Sequence, residues 1–187
     1  KNSNYILLLL SIFTPLIKSK EKKINILSAD VLEYKKEIKD AQILKGNVML
    51  EHNEAIMTCD SAYLFMKSNS FHAFNNIKII QNDSLEMKGD TLFYYGNTKK
   101  AKIIGNVELK EADLQLKTNQ LMYDLSSKQA SYSSRAFIES AKSQNKLTSL
   151  KGTYHSNIKT LFFKDSVELE HPKYKMNSDT LVYNTTT

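Results

Sequence analysis

The chain has 187 residues, of which 41% are hydrophobic and 25% charged, so it fits one domain with a real core and excludes a mainly disordered chain. A single Cys excludes a disulfide framework and any multi-cysteine zinc or iron–sulfur site, and 5 Gly with 2 Pro leave the turns to Asn, Asp, Ser and Lys. The formal charge of +6 falls to +3 (23 basic, 20 acidic) once residues 1–20 are set apart, and no Lys/Arg cluster alternates with aromatic residues, which argues against a nucleic-acid groove.

Residues 1–20 open on Lys1, run through the apolar stretch Tyr5 to Ile17 and meet a Lys-rich segment from Lys18 to Lys23. Thirteen mostly apolar residues rise about 20 Å as a helix, too short for a bilayer of roughly 30 Å. A positive flank before a short apolar core reads as a secretory leader. There is no A-x-A cleavage pattern, so removal and retention as an anchor both stay open.

From residue 24 onward the chain keeps a period near thirty. Tyr34, Leu64, Tyr94, Tyr123, Tyr154 and Tyr183 are spaced by 30, 30, 29, 31 and 29 positions. Val48, Ile77, Val107, Phe137 and Val167 are spaced by 29, 30, 30 and 30. Each unit has two halves, one typified by Gly105-Asn-Val-Glu-Leu109 and one by Ser178-Asp-Thr-Leu-Val-Tyr183. Period-two alternation such as Val107/Leu109 and Leu114/Leu116 makes both halves strands. Polar knots at Glu51–Glu54, Asn82–Ser84, Gly96–Lys100, Leu125–Gln129 and Asn157–Thr160 separate them as turns. Two strands and two turns per short repeat predict an all-β architecture, a β-solenoid or stacked hairpins, over residues 24–187. The chain stops at Thr187 as a sixth unit begins, which reads as a truncated array.

In the second halves the apolar positions change parity. Met57 to Ala62, Met87 to Leu92, Leu116 to Leu121 and Met176 to Leu181 are each five apart. An odd offset in a straight strand sends the two residues to opposite faces, unless a bulge intervenes. Gly46-Asn47 and Gly105-Asn106 are the second candidate corners, because Gly and Asn tolerate positive φ. Asn75-Asn76 and Arg135-Ala136 replace that pair elsewhere and are expected to weaken the corner. Corners repeated in every unit stack into a crease, giving a sheet bent along its length with one apolar concave interior.

The recurring G-N-V-x-L and A/S-D-x-L-x-Y pairs, their order, and the leader before the first unit resemble the organic-solvent-tolerance (OstA-like) family over nearly all of residues 26–187. That resemblance implies a V-shaped β-jellyroll or β-taco with an apolar groove and open ends. It implies a non-enzymatic role in the envelope: sheltering the acyl chains of lipopolysaccharide and carrying it across the periplasm, with association with the outer membrane left open. Partners implied are lipopolysaccharide or its lipid A, and either envelope transport components or a second copy through edge-strand pairing.

The groove-lining residues expected from the two apolar beats are Val48, Leu50, Ile77, Ile79, Leu92, Val107, Leu109, Leu121, Phe137, Val167, Leu169 and Leu181. Tyr34, Tyr94, Tyr123 and Tyr183 form a ladder read as packing. Asp30, Asp60, Asp90 and Asp179 stack at one corner as caps of backbone N–H groups, interrupted by Asn119 and Leu150. His52, His72, His155 and His171 lack metal-ligand spacing, and His52 and His171 are expected as exposed turn residues. Cys59 reads as a small buried side chain. No catalytic residue, metal site or cofactor is assigned. Two other readings stay in view: a structural β-solenoid filament subunit, whose interior would be tightly filled, and a β-solenoid carbohydrate-active enzyme.

Overall fold

The computed structural model describes residues 23–34, 38 and 40–185; residues 1–20, where the sequence suggests a leader, and residues 186–187 lie outside them. Fourteen strands form one sheet with every pairing antiparallel, and the described residues contain no α-helix. The long strands are β3 (Gln42–His52), β4 (Ala55–Phe65), β5 (Ser70–Gln81), β6 (Leu85–Tyr95), β7 (Lys100–Glu111), β8 (Leu114–Asp124), β13 (Thr160–His171) and β14 (Tyr174–Asn184). The other six are half-strands: β1 (Asn25–Ser28) and β2 (Val31–Tyr34), β9 (Gln129–Tyr132) and β10 (Ala136–Ser140), and β11 (Asn145–Ser149) and β12 (Lys151–His155).

Each long strand crosses a crease at its middle. The register of β3 on β4 jumps between Lys45 and Val48, so two residues, Gly46 and Asn47, stand opposite the single Asp60. The same jump recurs at Asn75-Asn76, Gly105-Asn106 and Asp165-Ser166, and all eight residues have positive φ. Those bulges switch the inward parity: Met57 and Cys59 are buried before the crease, and Ala62 and Leu64 after it. The five-residue offset therefore keeps one apolar face, as the sequence requires. Asn75-Asn76 makes the same left-handed corner as Gly-Asn, because an Asn amide stabilises that backbone nearly as well as a missing Cβ. At Arg135-Ala136 the expected weakening is real. Strand pairing stops between Tyr132 and Ala136, and β9 and β10 are separate.

The crease divides the sheet into two walls. One runs β1, the second halves of β3, β5, β7 and β13, the first halves of β4, β6, β8 and β14, and β10 and β11. The other holds β2, β9, β12 and the remaining halves. Their facing side chains form one apolar cluster through every unit, from Ile24 to Leu169. Each wall ends in a turn edge, and the two edges behave differently. Turns 66–69, 96–99, 125–128 and 156–159 all have four residues, each closing on a left-handed residue: Asn69, Lys99, Lys128 and Lys159. On the other edge the turns are 53–54, 82–84, 112–113, 141–144 and 172–173, of two to four residues.

Candidate functional site

The interior between the walls is where the predicted residues meet. Val48, Leu50, Ile77, Ile79, Leu92, Val107, Leu109, Leu121, Val167 and Leu169 are all buried, and Leu181 is partly buried against the same cluster. Val107 and Leu121 face one interior from opposite sides of the crease. Phe137 does not join them: it is 54% exposed, while its neighbours Ala136 and Ile138 turn inward. Turn length is the physical reason. The residue in phase with Val107 is Ala136, since both pair with Thr118. Two-residue turns at 53–54 and 112–113 give steps of 29, the three-residue turn 82–84 gives 30, and the four-residue turn 141–144 gives 31. A fixed step of 30 from Val107 overshoots by one position, which in a strand means the opposite face.

The interior is filled by its own side chains. A cavity of about 10 Å³ lies beside Met57, Ile79, Met87, Tyr94, Tyr123 and Leu125. The walls touch as a closed V, and the groove expected along the trough is shut in this conformation.

Opposite the crease the turn edges meet along a mouth, and here polar groups do the closing. His52 Nδ1 lies 2.5 Å from the Tyr94 hydroxyl across the mouth. Glu111, at the inward phase after Val107 and Leu109, has its carboxylate buried; it accepts from Ser156 Oγ at 2.9 Å and from Lys159 Nζ at 2.5 Å. The Tyr183 hydroxyl meets Ser143 Oγ at 3.0 Å and accepts from Asn145 Nδ2 at 3.1 Å. The tyrosine ladder thus packs with its rings and clasps with its hydroxyls. Tyr154 belongs to it, whereas Tyr34 on the end half-strand is exposed and accepts from Gln42.

Burial pushes Tyr94 and Tyr123 up to about 12, and the Glu111 carboxylate adds to the shift at Tyr123. Burial first, then Glu111, holds Tyr154 well above the ordinary phenol range. These hydroxyls therefore stay protonated and can donate. His52 is buried rather than an exposed turn residue, because the turn it ends folds over the mouth onto Tyr94. Glu111, Ser156 and Lys159 were missed from sequence, although a carboxylate at an inward position was a usable signal. Cys59 is buried as expected, and burial raises its thiol to about 11, far from a reactive thiolate. No group of three or more metal-ligating side chains occurs among the described residues.

No curated protein matches the sequence. Among solved structures, the crystal structure of LptH, "the LptA homologous periplasmic component of the conserved lipopolysaccharide transport device from Pseudomonas aeruginosa", matches with 15% identity and a TM-score of 0.49, covering 56% of this chain and 77% of that one. The family described as OstA-like protein matches residues 21–179, nearly the whole creased sheet and most of the full chain. That match spans the repeat that builds the crease and the apolar interior, and the chain belongs to the OstA-like proteins.

Proposed function

We propose that the chain is a non-enzymatic lipid-binding protein of the cell envelope, exported by its N-terminal segment. In this reading it shelters the acyl chains of lipopolysaccharide between its walls and helps carry it through the periplasm towards the outer membrane. The observation that carries the reading is the single apolar interior shared by every unit, closed on one side by covalent strands and on the other by non-covalent contacts that include exchangeable polar ones. Membership of the OstA-like family supports it. Parting the walls would expose apolar side chains, but inserted acyl chains would cover them again at ~0.8 kcal/mol per methylene, roughly 10 kcal/mol gross for a chain of about a dozen carbons. The hydrogen bonds of the mouth exchange with water at about 0.5–1.5 kcal/mol net each. Equivalent units offer a sliding chain similar sites, so no step is deep. Strands β1, β2 and β14 each pair on one side only, which suits extension by an envelope component or a second copy.

The filled interior favours one other reading, a structural filament subunit whose ends alone interact. A photo-crosslinker at Leu109, with one at the outward neighbour Glu108 as control, separates the two. Labelling by lipopolysaccharide at Leu109 only, competed by lipid A and not by polysaccharide, is the expected result. Labelling at neither position selects the filament, and equal labelling at both removes the interior as the lipid site.

A further inference from the structure

We propose that the outer face of the crease around Phe137 is a binding site for an anionic saccharide, a sugar carrying a phosphate or carboxylate. The site is separate from the interior, on the opposite side of the sheet from the mouth.

It arises where the repeat breaks. At three earlier corners an Asn amide donates to an Asp carboxylate and fills the crease: Asn47 to Asp30 at 2.9 Å, Asn76 to Asp60 at 2.9 Å and Asn106 to Asp90 at 2.8 Å. In β8 the Asp position holds Asn119, and the left-handed pair is replaced by Ser133, Ser134 and Arg135. Thr118 Oγ1 pins that segment through Ser134 Oγ at 2.9 Å and the Arg135 carbonyl at 3.2 Å. A depression of about 540 Å³ opens there, lined by Asn106, Glu108, Lys117, Asn119, Arg135 and Phe137, two cations against one carboxylate. A second, of about 280 Å³, lies on the far side of the same ring, where Lys146 and Lys175 share the wall with Glu139, Glu168 and Glu170 and Lys175 is paired to Glu170 at 2.8 Å, so the anion is assigned to the first hollow. Phe137 therefore stands as an exposed aromatic platform between two hollows of mixed polar and apolar lining.

The chemistry selects the occupant. Arg135 is the one arginine of the chain and makes no ion pair with a described residue, so its planar fork can take a phosphate or carboxylate bidentately. Lys117 is held only loosely, 3.9 Å from Glu108. The Asn119 amide offers a donor and an acceptor to sugar hydroxyls. A pyranose ring presents aliphatic C–H groups on its flat face, which suits an isolated phenyl ring, and hollows of this size hold one or two sugars. An apolar protein partner would need a contiguous apolar patch, whereas Phe137 is ringed by Asn, Lys, Arg and Glu.

The test is an amide-shift titration of the whole protein with glucose 1-phosphate, glucose and inorganic phosphate as probes. Glucose 1-phosphate is expected to move residues 117–119 and 135–137 and to bind more tightly than either fragment. Arg135→Ala is expected to weaken it about tenfold, and Phe137→Ala to erase its advantage over inorganic phosphate. Phe162→Ala, which removes an exposed ring from another strand, is the control and should change nothing. All three side chains are exposed, so the variants should keep the fold. Inorganic phosphate binding as tightly as the sugar phosphate, shifts spread over lysines and untouched by either variant, or binding seen only when the sugar carries acyl chains would each overturn the site.

Discussion

Replacing Glu111 with Ala tests whether the mouth is a polar clasp over an apolar interior. The carboxylate is 8% exposed and accepts from the Ser156 hydroxyl, shared between its two oxygens, and from Lys159. Charge-assisted hydrogen bonds contribute about 1.5–3 kcal/mol each when buried, but Lys159 is 40% exposed and regains water when its partner goes. A net loss of about 2 kcal/mol follows, equivalent to a roughly 30-fold larger population of the parted mouth. The reporter is a cysteine at Leu109, introduced in a Cys59→Ala background, and the measurement is its alkylation rate. The rate is expected to rise about 30-fold in Glu111→Ala and to stay unchanged in Glu108→Ala on the outer face. Urea dependence separates local parting from global unfolding, since parting exposes little new surface and its rate should respond weakly. An unchanged rate in a folded Glu111→Ala protein would refute the clasp. A steep urea dependence in both proteins would show that the walls separate only when the whole chain unfolds.

At the crease, Gly105→Ala should lower stability by about 2 kcal/mol, because φ is +79° and the new methyl would drive the Asp90 carboxylate off Asn106; Gly105→Asn, copying Asn75, should cost clearly less, and equal urea midpoints for the two would contradict this. Leu121→Ala removes a fully buried side chain and should lose about 2–5 kcal/mol, whereas Phe137→Ala should stay within about 0.5 kcal/mol, a contrast readable in thermal unfolding. Alkaline pH should unfold the protein steeply. Burial raises Tyr94, Tyr123 and Tyr132 from 10 to about 12, so each one's contribution is complete below pH 10 and lost between 10 and 12 at about 1.4 kcal/mol per pH unit. Urea midpoints that stay level across that window, with tyrosinate absorbance already developed, would exclude the buried hydroxyls.

The creased sheet was legible because its causes are local. Met57 and Ala62 stand five apart in the sequence, and only an inserted residue lets both face inward. Gly105-Asn106 advertises the backbone that makes the insertion. What stayed hidden depends on partners far along the chain. His52 and Tyr94 are 42 positions apart in different units, so nothing near His52 announces its burial. Phe137 was placed on the wrong side because a period absorbs turn length as noise, while a strand converts a single residue of it into a change of face. Alternation also names the inward side without saying how far apart two walls stand, which is why the open trough and the filled one looked alike.

The even four-residue turns on one edge make each hairpin an interchangeable plank. Counted along either wall, the sheet is eleven strands deep, and at about 4.8 Å between neighbours it measures roughly 50 Å. Adding or removing one hairpin changes that reach by about 10 Å and leaves every other joint as it was. Length in this architecture is a quantity counted out in whole hairpins, independent of what any one of them holds.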